Sequence, residues 1–135
     1  MSNLPTPKPP IDPAIAVYWS AAAEGRLVLP TCTDCGLVHW YPRPFCPDCS
    51  SRNIVWTDSD GDGEIYSFTI TRRGQGVYRD SSPYVLAYVE LDEGPRVLSN
   101  IVDADLETLA IGQRVSATFD IVPDEDAALL RFHPT

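Results

Sequence analysis

Cys32-Thr33-Asp34-Cys35-Gly36 and, with ten residues between Cys35 and Cys46, Cys46-Pro47-Asp48-Cys49 are the stretch around which the 135-residue chain has to be read. Two C-x2-C pairs at this spacing can bring four thiolates to one tetrahedral ion, with Zn–S bonds of about 2.3 Å. Gly36 lets the first knuckle turn back at positive φ, and Pro47 stiffens the second. A segment this short lies far below the size at which a hydrophobic core suffices, so bound metal takes the place of a core. The expectation is one structural zinc held by Cys32, Cys35, Cys46 and Cys49 in a rubredoxin-like ribbon over residues 26–56. The same ligands suit a single iron or a pair of redox-active CxxC motifs, and ligation alone does not separate these. Catalytic zinc is disfavoured, because four thiolates leave no position for water. His39 lies between the pairs and is not needed as a ligand.

Upstream, Pro5, Pro7, Pro9, Pro10 and Pro13 fix φ and remove donors, so the leader reads as an extended or disordered arm. Asp12 then offers an N-cap with Pro13 in the first helical position. Ile15, Tyr18, Trp19 and Ala22 recur at helical spacing before Gly25 stops the pattern. Residues 1–25 are therefore read as arm plus a short helix whose aromatic face must dock on another surface. The start of the chain has neither the basic nor the apolar region of a secretory signal, which predicts a cytoplasmic location where thiols stay reduced.

Downstream, over residues 57–135, the period changes to two. Tyr66, Phe68 and Ile70 share one face of a first strand, and Tyr84–Leu91 and 96–102 form two more runs joined by Asp92-Glu93-Gly94-Pro95. A short helix is predicted over residues 105–110, stopped by Gly112. Val115, Ala117, Phe119 and Ile121 alternate in a fourth strand, and Ala128, Leu130 and Phe132 mark a fifth. The fold class is thus mainly β: a short N-terminal helix, a zinc ribbon, then a five-stranded OB barrel with a short helix between strands three and four.

The formal charge is −9, and its excess lies in the barrel half: residues 1–56 carry four Lys/Arg and four Asp/Glu, residues 57–135 six and fifteen. That balance argues against a nucleic-acid partner, which requires a basic footprint. No apolar run approaches the roughly 20 residues of a membrane span. Asp58, Asp60, Asp62 and Gly63 mimic half a calcium loop, but its twelfth position is Thr69 instead of Glu, so a solvated turn is expected. No nucleophile elbow or P-loop is present, and the cysteines are committed to metal, which disfavours an independent enzyme. Arg72, Arg73 and Arg79 gather in the first barrel loop, where a phosphate-bearing ligand such as CoA is the functional reading and ordinary solvated charge the other.

In order along the chain come Arg26-Leu27-Val28-Leu29-Pro30, Pro42-Arg43-Pro44-Phe45-Cys46-Pro47, Trp56, Gly61-Asp62-Gly63, Tyr66-Ser67-Phe68-Thr69, Pro83-Tyr84-Val85 and Ile111-Gly112-Gln113-Arg114-Val115. This ordered set, over about residues 13–134, resembles the zinc-ribbon and OB-fold accessory proteins associated with thiolases, formerly a domain of unknown function. The resemblance implies a non-catalytic subunit that binds a thiolase-superfamily enzyme (thiolase, aldolase or acyltransferase) and helps position acyl-CoA. It also makes Tyr18, Trp19, Trp40, Tyr41 and Phe45 candidates for the partner interface, burial within the chain being the alternative for each. A nucleic-acid-binding ribbon and barrel, or a small metal redox carrier, are the competing classes.

Overall fold

Asp12 and Pro13 start the first helix as their types dictate. The Asp12 carboxylate accepts from the Ala14 N–H at 2.9 Å, capping a 3-10 turn, Pro13–Ile15, that runs into α1, Ala16–Ala23. Gly25, at φ +80°, ends it: the N–H groups of Gly25 and Arg26 return to the carbonyls of Ala22 and Ala21, both at 2.9 Å. Only a left-handed residue closes a helix this way without strain. In the computed structural model, which describes residues 2–135, the face Ile15, Tyr18, Trp19 and Ala22 is buried within the chain itself. Burial of large side chains contributes about 1.5–3 kcal/mol each, which holds in place a helix too short to persist alone.

β1, Leu27–Cys32, and β2, Ile54–Ser59, pair antiparallel and bracket the cysteine segment, with Cys32 opposite Ile54. The barrel comprises β3 (Asp62–Thr71), β4 (Tyr84–Leu91), β5 (Arg96–Ile101), β6 (Arg114–Ile121) and β7 (Ala128–Pro134). Its closed order, β3-β4-β5-β7-β6 and back to β3, is that of an OB fold. α1 rests on β1, β6 and β7, so ribbon and barrel share one core running from Tyr18 and Leu29 to Val89 and Phe132.

Gly63 pairs with Leu91 on one side and Val115 on the other. A Cβ there would overlap the Glu90 carbonyl oxygen. Gly63→Ala is therefore expected to destabilise the fold by about 1–3 kcal/mol, read as a lowered denaturant midpoint at unchanged slope.

Three local readings need correction. Tyr66 does not share the inward face with Phe68 and Ile70: the register shifts between Ile65 and Ser67, so Ile65 takes the buried position and Tyr66 lies outside under the Arg96 guanidinium, 3.9 Å from its ring centroid. A bulge re-aims one side chain and restores the alternation beyond it. Residues 105–110 form a turn instead of a regular helix, closed by the Asp105 carboxylate accepting from Glu107 N–H at 2.9 Å. The 3-10 helix of the barrel lies elsewhere, at Gly76–Ser81 between β3 and β4. Finally, Ile121 is exposed, and its neighbour Asp120 is buried.

Candidate metal centre and binding surfaces

The two knuckles are built alike. In the first, Gly36 N–H reaches the Cys32 carbonyl at 2.8 Å and Cys32 N–H the Leu37 carbonyl at 2.9 Å; in the second, Ser50 N–H reaches Cys46 at 3.0 Å and Cys46 N–H reaches Ser51 at 2.8 Å. Each turn places the residue after its second cysteine in left-handed backbone, Gly36 at φ +79° and Ser50 at φ +64°. The serine counterpart carried no signal in the sequence. Asp34 ties the knuckles together by accepting from Ser51 Oγ and, at 3.0 Å, from Asn53 Nδ2. Those two hydrogen bonds hold its carboxyl below the usual range.

All four Sγ atoms lie within 4.8 Å of one another, with Cys32–Cys49 and Cys35–Cys46 at 3.6 Å. The edge of a ZnS4 tetrahedron is about 3.8 Å for the usual Zn–S bond, whereas a disulfide needs about 2.05 Å. The donors fit one zinc ion. Backbone N–H groups of Asp48 and Cys49 point at Cys46 Sγ from 3.4 and 3.5 Å, the outer hydrogen bonds that stabilise a bound thiolate. The Cys35 backbone N–H draws the Cys32 thiol down to about 7, whereas Cys35 and Cys49 are shifted up. His39 stands apart from this cluster, buried with both ring nitrogens unpartnered, and its burial lowers its pKa.

The acidic turn holds no second site. Asp58 pairs with Arg26 at 2.8 Å and Asp62 accepts from Ser116 Oγ at 2.7 Å. Among the described residues, the four cysteines form the one group disposed to share an ion.

The interface candidates separate by exposure. Tyr18 and Trp19 are buried in the chain's own core, Trp40 is half-buried, and Tyr41 (46% exposed) and Phe45 (41%) face outward. The rings are contiguous, Tyr18 to Trp40 at 5.3 Å and Trp40 to Tyr41 at 5.7 Å, so the outer ring rests on a fixed stack. Arg72, Arg73 and Arg79 are exposed in the β3–β4 loop, and none enters an ion pair among the described residues. Within that loop Gly74 N–H donates to Ser82 Oγ at 2.7 Å, and Tyr78 leans on Tyr84 at 5.5 Å. Tyr78 also lines a groove of about 480 Å³ with Leu86, Leu98, Trp40, Tyr41 and Pro7–Pro10.

Residues 19–55 match the family model described as ChsH2, rubredoxin-like zinc ribbon domain, and residues 56–120 match ChsH2, C-terminal OB-fold domain. A DUF35 domain-containing scaffold protein of Methanothermobacter thermautotrophicus is 37% identical over 95 residues, which cover 70% of this chain and 71% of that one. The chain belongs to the DUF35 family. The solved structure of an Ltp2-ChsH2(DUF35) aldolase superimposes on it with a TM-score of 0.80 at 31% identity, over 94% of this chain and 98% of the other. A probable enoyl-CoA hydratase alpha subunit of Thermomonospora curvata is 31% identical over 128 residues, 95% of this chain. This DUF35 chain spans only 40% of that relative's length. Among the described residues of this DUF35 chain, no helix is long and apolar enough to cross a membrane.

A polar cluster escaped the sequence reading of this DUF35 chain altogether. On the outer side of β6 and β7, Asp120 and Arg131 form an ion pair at 3.2 Å with side chains 2% and 5% exposed. Arg131 also donates to Asn100 Oδ1 at 2.6 Å and to the Pro5 carbonyl at 2.8 Å, and Asn100 donates to the Val85 carbonyl at 2.9 Å. Ser2 completes the set, its amide 2.9 Å from Asp120 Oδ1 and its hydroxyl on Oδ2. The pattern of β6 and β7 predicts these positions as solvent-facing, and the only available signal was a proline-rich arm long enough to cover them.

Proposed function

We propose that this chain is a non-catalytic accessory subunit that binds a thiolase-superfamily enzyme and helps position acyl-CoA. The observation that carries the reading is the likeness, over nearly the whole of both chains, to the DUF35 chain of an aldolase assembly. The name of the hydratase subunit relative adds an acyl-CoA enzyme of another reaction class, consistent with a shared role in handling the ester instead of the carbon chemistry.

In this reading the zinc knuckles hold a rigid docking plate. Tyr41 and Phe45 supply its apolar contacts, with Trp40, Tyr18 and Trp19 supporting them from beneath. Large aromatics on a fixed base lose little entropy on association, which is why they dominate interface energetics. On the barrel, Arg72, Arg73 and Arg79 supply cationic forks for CoA phosphates, and the loop carrying them borders the apolar groove through Tyr78.

Two measurements test this. Affinity capture from the native host, followed by identification of bound chains, is expected to recover a thiolase-superfamily enzyme; repeated recovery of this chain without one counts against the role. In the assembled complex, Arg72→Ala with Arg73→Ala is expected to weaken acyl-CoA binding by about tenfold, about 1.4 kcal/mol, while the subunits stay together. An unchanged affinity removes the loop from the ligand site.

A further inference from the structure

The arm before α1 lies against the barrel, yet it is attached by unusual means. Residues 2–11 make no backbone–backbone hydrogen bond among the described residues. What holds them is a series of side-chain clasps: Ser2 on Asp120, the Pro5 carbonyl on Arg131, and Lys8 on Glu125 at 3.1 Å. The arm crosses the barrel where its own ladder is thinnest. β5 and β7 share a single parallel register pair, Ile101 with Phe132, supplemented by Val102 N–H to the Phe132 carbonyl at 2.7 Å. Arg131 spans that seam from β7 to Asn100 on β5 and holds the arm with its remaining nitrogen. Beyond the clasp, Pro7–Pro10 line the same groove as Leu86 and Leu98.

We propose that residues 2–10 form a detachable strap, and that this strap is the movable wall of the groove between the outer barrel face and the ribbon. Release breaks no sheet hydrogen bond, so the barrel survives it. Four prolines limit the freedom the strap gains when it leaves, which keeps the closed form populated despite few attachments. Opening uncovers Leu86 and Leu98, already 38% and 51% exposed with the strap in place. The proposal goes beyond the accessory-subunit reading and is independent of what the groove binds.

The test uses backbone ¹⁵N relaxation on the full-length zinc-bound chain, following Asn3, Leu4, Thr6 and Lys8. In the unaltered protein their order parameters are expected near the rigid value of about 0.85, and in Ser2→Ala with Lys8→Ala, which cuts two clasps from the arm side and leaves the Asp120–Arg131 pair in place, below about 0.6, with β4–β7 unchanged. A second variant, Pro7→Gly with Pro9→Gly and Pro10→Gly, leaves the barrel's residues intact and raises the freedom of the released arm; it is expected to loosen the same four amides. An arm that stays rigid in both variants overturns the strap. So does loss of hydrogen-exchange protection in β5 and β7 together with the arm, since that would make the segment an inseparable part of the barrel. No ligand enters the measurement, so its outcome leaves the acyl-CoA reading standing or falling on its own experiments.

Discussion

Replacing Cys32 or Cys46 with serine is expected to reduce bound zinc from one equivalent to essentially none and to melt residues 33–53. A structural zinc contributes about 10–16 kcal/mol of apparent binding energy in small ribbons, more than any other single interaction in this chain can supply. Cys32 and Cys46 are the fully buried ligands, each at 0% exposure. A serine hydroxyl at either place offers the ion no anionic donor, and the tetrahedron cannot close. Without the ion the knuckles keep only a few turn hydrogen bonds and the cross-links from Thr33 to Asn53 and from Asp34 to Ser51 and Asn53. β1 is different, because Leu27, Val28 and Leu29 belong to the core shared with the barrel. The barrel is therefore expected to remain folded with a lowered midpoint. Metal analysis, with hydrogen exchange resolved by segment, checks both halves; full metal content in either variant refutes the ligand assignment.

Arg131→Met is expected to cost about 3–5 kcal/mol, the loss seen when one member of a buried ion pair is removed and the other is left uncompensated. Here the damage spreads, since Asp120, Asn100 Oδ1 and the Pro5 carbonyl all lose a donor together. Arg131→Met combined with Asp120→Leu is expected to recover much of the loss, because a matched apolar pair needs no desolvated charge. Chemical denaturation of the single and double variants measures both. The pair also sets an acid limb. Burial pushes the Asp120 carboxyl up, but hydrogen bonds from the Ser2 side chain and amide and from Arg131 outweigh it and hold the group below its ordinary value. A depressed folded value means that the stabilisation is fully present above about pH 4, where the unfolded carboxylate titrates. It disappears as pH falls through the lower folded value. Asp120→Asn is expected to lose this acid dependence, seen as a flatter stability profile below pH 4.

Much of the architecture was legible because its signals are local. The cysteine spacing defines its own tetrahedron, Asp12-Pro13 and Gly25 cap their own helix, and the alternation from residue 64 onward announces strands whatever they pair with. The centre could be assigned to four named sulfurs for the same reason. Where the reading slipped, a neighbour in space had intervened. Tyr66 obeys the alternation until a bulge between Ile65 and Ser67, where β3 pairs with β4, moves it outside. Residues 105–110 have helical spacing but too few residues to form more than a turn once Asp105 caps it.

By itself, then, the order of residues determined the ribbon, its zinc ligands and the number of barrel strands, since each rests on contacts between residues close in sequence or on periodicity within one element. Only the tertiary structure decided that Tyr18 and Trp19 are core while Tyr41 and Phe45 are surface, and that Asp120 and Arg131 are buried under an arm whose Pro5 lies 126 residues from Arg131 in the sequence. Burial depends on what arrives from elsewhere in the chain, and a polar residue on an outward face gives no sign that a proline-rich segment will settle over it.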